Sequence, residues 1–431
     1  MTPPTTEGTR RPHIARALAH RNFRLFFAGQ SVSLIGTWIT RVATSWLVYR
    51  LTHSPLLLGV VGFCGQIPSL LLAPVAGVLV DRWDRHRILL WTQAASMLQS
   101  LALAVLALSG IITVEWILAL QIVQGVINAF DTPARQAFVV LMVEDRADLP
   151  NAIALNSTMV NGSRIIGPSI GGVIIAAVGE GWCFMIDAVS YLAVIASLLA
   201  MRLDRAEEKR RHGAVLDELK TGFRYVAGFP PVRTALLLLA LVSTMGMPYT
   251  VLMPDIASRT LHGGPHTLGV LMTASGLGAV AGALYLASRR SVLGLGRVMG
   301  LATAAFGAGL VAFALARSLW VALAVLPIVG AGMMIEMAAT NTVLQTLVDE
   351  RLRGRVMAFY TMAFLGSAPL GSLLSGVVAD RLGASTTIVL GGVGCVAGGL
   401  WLAFRLPLLR EQVRPVYMER GILASSQEAG A

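Results

Sequence analysis

Residues 24–50 open a pattern that recurs to the end of the chain. A stretch of some 20 residues, mostly Leu, Val, Ala, Ile and Gly, is closed by a short polar turn. A helix of about 20 apolar residues crosses a bilayer. The pattern predicts twelve such spans, at 24–50, 56–80, 88–109, 115–135, 152–178, 182–202, 233–253, 268–287, 298–316, 319–341, 356–378 and 386–405. The runs are too long for strands, and the ten-residue alternation of a membrane barrel does not occur. The expected class is an all-α membrane protein with twelve transmembrane helices.

The polar intervals organise the spans. The longest runs from Arg202 to Arg233 and divides them six and six. Within it Val215, Leu219, Phe223 and Val226 recur at helical spacing, with Asp217, Glu218, Lys220 and Arg224 between them, which predicts a short amphipathic helix on the membrane surface. The expected organisation is a polar N-terminus (1–22), a six-helix bundle (23–202), a linker with that helix (203–232), a second six-helix bundle (233–406) and a tail (407–431). The halves echo one another at an offset of 205: Gly77 and Leu79 match Gly282 and Leu284, and Val143-Glu144-Asp145-Arg146 matches Val348-Asp349-Glu350-Arg351. This is the trace expected of parallel repeats.

Composition sharpens the class. Hydrophobic residues are 55 % of the 431 and charged residues 13 %, too few to cover a soluble fold. The +11 net charge does not point to nucleic acid, because the basic residues sit in short clusters between apolar runs. With the N-terminus placed inside, 28 Lys and Arg fall on cytoplasmic segments against four on the other side. That bias predicts both termini cytoplasmic, in a multi-pass inner (cytoplasmic) membrane protein. Met1 to Arg21 lacks a signal-peptide core, so the first apolar run is expected to remain as a span. Cys64, Cys183 and Cys395 fit neither a disulfide framework nor a metal site. Neither a phosphate-binding G-x-x-x-x-G-K-[ST] nor a zinc pattern occurs. The expectation is a protein with no cofactor and no metal, not an enzyme, whose energy comes from a gradient.

The segment GVLVDRWDRHRIL, residues 77–89, packs five charges into Asp81–Arg87 directly after an apolar run. It resembles the signature G-x-L-x-D-R-x-G-R-R between the second and third spans of the major facilitator superfamily, through Gly77, Leu79, Asp81, Arg82, Arg85 and Arg87. Asp84 stands where the signature has its second Gly. In span five, Gly167-Pro168-Ser169-Ile170-Gly171-Gly172 resembles the G-P-x-x-G-G core of the antiporter signature, with Ser163 in place of an upstream Gly. Residues 124–139 and 353–371 resemble the subgroup that contains enterobactin exporters and macrolide-efflux proteins. The resemblance implies two six-helix bundles rocking about a midplane cavity. It also implies that Asp81 joins a cytoplasmic charge network with Arg82, Arg85, Arg87, Arg135 and Arg355, and that Gly167, Pro168, Gly171 and Gly172 form a hinge or seal.

Ionisable groups within spans are costly and mark function. The span boundaries single out Arg41, Arg164, Asp187 and Glu336. Asp187 and Arg41 lie at similar depth and could pair, and Asp187 or Glu336 is the candidate proton carrier. By the resemblance, Arg41 and Glu336 line the cavity. Gln30, Ser33, Thr37 and Arg41 recur at helical spacing in span one, Asn341 lies near Glu336, and Arg164 sits mid-span in span five. These are the candidate substrate contacts, with Trp38, Trp46 and Tyr249 as aromatic surfaces for a bulky ligand. The expected function is export of an amphipathic organic compound (a drug, macrolide or siderophore-like metabolite) by proton antiport, in a monomer whose other partners are the coupling ion and the lipid bilayer. Uptake or facilitated transport of a small organic solute is one alternative. A membrane sensor or assembly protein that transports nothing is another.

Overall fold

The computed structural model describes residues 13–143, 145–202, 215–289 and 291–423; within these, the side chains of residues 13–15, Pro74, Asp81, Arg146 and 215–219 lie outside the described part. Parts of the terminal and linker segments expected above therefore also lie outside it.

The described chain is helical. The first group of helices comprises α1 (Arg21–Thr52), α2 (Pro55–Arg82), α3 (Arg85–Leu108), α4 (Val114–Val139), α5 (Leu149–Val178) and α6 (Glu180–Leu199). The amphipathic α7 (Val215–Gly228) follows. The second group comprises α8 (Pro230–Leu241), α9 (Tyr249–Asp255), α10 (Pro265–Ser288), α11 (Leu295–Leu315), α12 (Leu319–Leu347), α13 (Glu350–Thr361), α14 (Ser367–Leu382) and α15 (Ala384–Glu419). A π-helical stretch, Val242–Gly246, leads from α8 towards α9, and another, Met362–Gly366, joins α13 to α14. Each pair makes one long apolar segment, Pro230–Thr260 and Glu350–Leu382. Among the described residues ten segments are long and apolar enough to cross a membrane. α1 and α4 pack among them but are less apolar, since both bury polar side chains such as Gln30, Ser33 and Asp131.

The spans at 233–253 and 356–378 are longer than the apolar runs alone indicated, and both carry π turns. The π turns face one another, and the Ser243 hydroxyl donates to the Phe364 carbonyl at 2.6 Å. A π turn leaves backbone groups off the helical ladder, and this bond satisfies one of them. The last span also exceeds its expected limit at 405: α15 runs on to Glu419.

Capping explains the charged turn. Asp84 is the N-cap of α3, and its carboxylate accepts from the backbone N–H groups of His86 and Arg87 at 2.9 and 3.4 Å. The residue that departs from the signature thus starts the next helix. Ser54 caps α2 in the same manner.

α1 packs on α5 and α6, α3 on α4 and α6, and α2 on α4; in the second group α10 and α11 pack on α12, and α11 on α15. Two seams join the groups, α5 against α10 and α2 against α14. The two ends of the molecule differ. At the end bearing the 52–55, 178–180 and 260–265 turns, one apolar cluster runs through both groups, from Ile39 and Leu47 to Leu252, Leu268 and Phe306. At the end bearing the basic turns there are two separate clusters, one around Phe23, Phe26 and Phe138 and one around Val232, Leu295 and Leu347. The space between the groups is therefore closed at the first end and open at the basic end. Gly77 and Gly162, in the basic-end halves of α2 and α5, have no atom within 4 Å of where a Cβ would stand.

Candidate functional site

The closed end is a seam of small residues. Gly172 lies against Gly269 and the Pro265 carbonyl, and Gly59 against Gly376 and the Ser372 carbonyl. A Cβ on Gly59 would stand 2.5 Å from that carbonyl oxygen, which only a shift of backbone could relieve. Polar contacts add to it. The hydroxyls of Ser169 and Thr273 meet at 2.7 Å, and Arg259, paired with Asp255 at 3.2 Å, donates to the His53 carbonyl at 2.8 Å. Arg50 holds Glu180 through two contacts of 2.9 and 3.0 Å, tying α1 to α6.

The Gly167–Gly172 stretch touches both groups. Gly167 faces Trp38, Gly171 faces Ile39, and Gly172 faces α10. Pro168 lacks an N–H, so the Arg164 carbonyl four residues back has no helical donor. That oxygen stands 3.2 Å from where a Cβ of Gly276 would be, so glycine there lets α10 approach it.

Arg41 is exposed and Arg164 half-buried. Both guanidiniums lie over the Trp38 ring, at 4.4 and 5.8 Å from its centroid. Arg41 and Asp187, which their depth would allow to pair, do not form an ion pair. Asp187 faces Gly36 of α1, five residues from Arg41 and hence about 140° around the helix. It is 1 % exposed between α1, α3 and α6, and its Oδ2 accepts from the Ser100 hydroxyl at 2.7 Å, whereas Oδ1 has no hydrogen-bond partner.

Glu336 also departs from expectation. It is fully buried within the second group, not on the cavity wall. Its Oε1 accepts from Thr340, one turn on, at 3.0 Å, and Oε2 has no partner. Neither carboxylate has a basic partner among the described residues.

Gln30 and Ser33 were expected at the cavity but are buried, at 3 % and 1 % exposure. Gln30 and Arg41 lie within about 20° of each other around α1, so the 3.6-residue repeat alone does not tell a buried position from an exposed one. Thr37 donates to the Ser33 carbonyl at 3.0 Å and lies 3.5 Å from the Tyr191 hydroxyl. Trp46 and Tyr249 are core residues, and Tyr249 bonds Ser275 at 2.6 Å. Asn341 is half-buried and accepts from Gln345 at 2.6 Å.

At the basic end, the Asp81 side chain lies outside the described residues. Arg82, Arg85 and Arg87 follow it at the α2–α3 turn, where Arg87 lies 3.8 Å from Asp84. Arg135 pairs within its own helix with Asp131, at 3.4 Å. Asp131 belongs with the intramembrane ionisable groups and was missed. It is buried and accepts from Thr92 and Gln93 of α3 at 2.9 and 2.7 Å. The i, i+4 spacing of Asp131 and Arg135 was the available signal. Arg355 lies on α13, where its Cβ faces Gly222 of α7.

Two clefts lie elsewhere. One of about 530 Å³ runs along α10–α12, and one of about 300 Å³ lies among the basic-end parts of α8, α11, α12 and α15. Neither is lined by the residues above.

The family model of transmembrane secretion effectors, a major facilitator family, matches residues 15–422. The chain belongs to this family. Transmembrane secretion effectors of this kind are multi-pass membrane proteins that take a small-molecule substrate. Similar proteins include the staphyloferrin A transporter of Staphylococcus aureus, 27 % identical over 86 % of this chain and 93 % of that one. The multidrug efflux pump Tap of Mycolicibacterium fortuitum is 29 % identical over 87 % and 93 %. The enterobactin exporter EntS of Citrobacter koseri is 26 % identical over 92 % and 94 %. In fold, the chain matches a solved bacterial homologue of the lysosomal transporter Spinster with a TM-score of 0.64, at 15 % identity and covering 97 % of this chain and 100 % of that one. It matches the nucleoside transporter NupG with a TM-score of 0.67, at 12 % identity and covering 90 % and 99 %.

Proposed function

We propose that this chain exports an amphipathic organic compound across the inner membrane by proton antiport. It does so as a monomer of twelve spans with both termini cytoplasmic. The bundles 23–202 and 233–406 are the moving bodies, and the space described above is the cavity in its cytoplasm-open arrangement. The export direction is supported by the efflux pump and the enterobactin exporter among the similar proteins. The observation that carries proton coupling is the pair of buried carboxylates, Asp187 and Glu336, each with one oxygen lacking a donor. A charged carboxylate without a partner costs several kcal/mol to bury, and taking up a proton removes that cost. A site whose protonation changes as the bundles rock couples the two events.

Asp81, with Arg82, Arg85, Arg87, Arg135 and Arg355, acts in this reading when the basic end closes, the half of the cycle opposite to the one seen here. Gly167, Pro168, Gly171 and Gly172 allow the tilt, because they touch both bundles.

The test is efflux from cells expressing the chain, with and without a protonophore, beside Glu336→Gln and Asp187→Asn. Antiport predicts efflux that collapses with the protonophore and in at least one variant. Efflux indifferent to the protonophore and to both substitutions makes the protein a facilitator.

A further inference from the structure

We propose that Arg41 and Arg164, seated over Trp38 between the two bundles, form a binding site for an organic anion with a planar face, such as an aromatic carboxylate or sulfonate. For the identity of the transported compound this rests on the export reading; for binding it does not.

The two guanidiniums share one indole ring and stand near enough to repel each other. Neither has an acidic partner within ion-pair distance among the described residues. The carboxylates that might have neutralised them are turned away: Asp187 sits behind Gly36 in the α1–α3–α6 interface, and Glu336 is enclosed in the other bundle. Charges inside a membrane protein are ordinarily paired, because water is not there to hold them. The Trp38 ring face offsets part of the cost, and two cations on one ring leave a net positive site.

An anion completes this arrangement. Guanidinium groups present forked N–H donors that match a carboxylate or sulfonate, and an indole offers a flat apolar surface for a ring. The place fits entry from the basic end. Trp38 backs onto Gly167, and the Gly172–Gly269 seam closes the space beyond. Arg41 is solvent-accessible although it lies well within α1, as a side chain on a cavity wall is. A cationic compound of the same shape meets like charge here and is disfavoured.

The experiment uses the full chain in nanodiscs and two xanthene dyes of one ring frame, fluorescein as the anion and a rhodamine ester as the cation, read by fluorescence polarisation. Fluorescein is expected to bind at least about tenfold more tightly. Arg41→Gln and Arg164→Gln should each weaken it about tenfold, the worth of a charge-assisted hydrogen bond. Arg41→Lys and Arg164→Lys, which keep the charge but lose the fork, should bind between wild type and the Gln variants, and that rank order shows that the loss is not misfolding. Equal binding of the two dyes, preference for the cation, binding of neither, or an anion preference that survives both Gln variants overturns the site. Export of the same dyes by cells reads the other claim. Fluorescein held through the arginines but never moved overturns export and leaves the anion site. Dye exported without regard to either arginine leaves export and overturns the claim that the arginines hold the transported compound.

Discussion

The two ends of the molecule are built on different physics. At the end opposite the basic turns, glycines bring helix backbones into contact, and a single apolar cluster continues from one bundle into the other. At the basic end, the bundles have separate cores and carry charged turns. Packing contacts act over a few tenths of an ångström and tolerate no added atom. Charges act over several ångströms and can find partners after a movement. A transporter that must open each end in turn can therefore seal one with shape and the other with charge.

The comparison can be broken at the seam. Gly59→Val puts a Cβ 2.5 Å from the Ser372 carbonyl oxygen and 2.8 Å from the Gly376 Cα. Overpacking of this kind costs about 1–3 kcal/mol, so transport should fall roughly fivefold to 150-fold. In a Cys64→Ser background, Thr273→Cys should then become reactive to an impermeant thiol reagent added outside. Unchanged transport in Gly59→Val would mean that the seam does not gate.

A smaller loss is expected at the basic end. Asp81→Asn should leave the protein folded and slow export several-fold, on the scale of one charge-assisted hydrogen bond, because the closed basic end loses a charge. Wild-type turnover would remove Asp81 from the gate. Arg135→Gln sharpens the same point by separating fold from gate. It leaves Asp131 buried with Thr92 and Gln93 as its remaining donors, and should lower stability by about 1–3 kcal/mol, read as a drop in Tm. Thr273→Val removes the hydroxyl pair with Ser169 across the seam. At about 1 kcal/mol, it should shift the balance between the two arrangements about fivefold, measured by thiol accessibility. Arg259→Gln is the mildest. The side chain is largely exposed, such pairs contribute 0–1 kcal/mol, and the change in rate should stay within about threefold to fivefold.

The long apolar runs and the amphipathic α7 were legible in order and approximate position, because each depends on hydrophobic period and length. The π turns were not. Val242–Gly246 and Met362–Gly366 read as ordinary helix, and they become intelligible only where Ser243 meets the Phe364 carbonyl in the fold. Of the candidate site, the residue types were legible and their partners were not. Arg41 and Asp187 share a depth, yet Asp187 packs against Gly36, five positions from Arg41 and so on a different face of α1. Glu336 was expected at the cavity because of its helix, and the rotation of that helix buries it. Asp131 lies inside the span expected at 115–135 and was not among the intramembrane ionisable groups named there. Its spacing from Arg135 would have marked it.

The sequence by itself determined what this protein is made of. The length of each apolar run follows from the cost of placing polar groups in hydrocarbon, a cost paid residue by residue without regard to neighbours, and the bias of Lys and Arg is likewise read segment by segment. The tertiary structure decided which charges meet. Ion pairing, orphaned carboxylate oxygens and the Trp38 platform depend on helix rotation, and rotation is set by where glycines let backbones touch. That is a property of pairs of helices, and no single segment of the chain contains it.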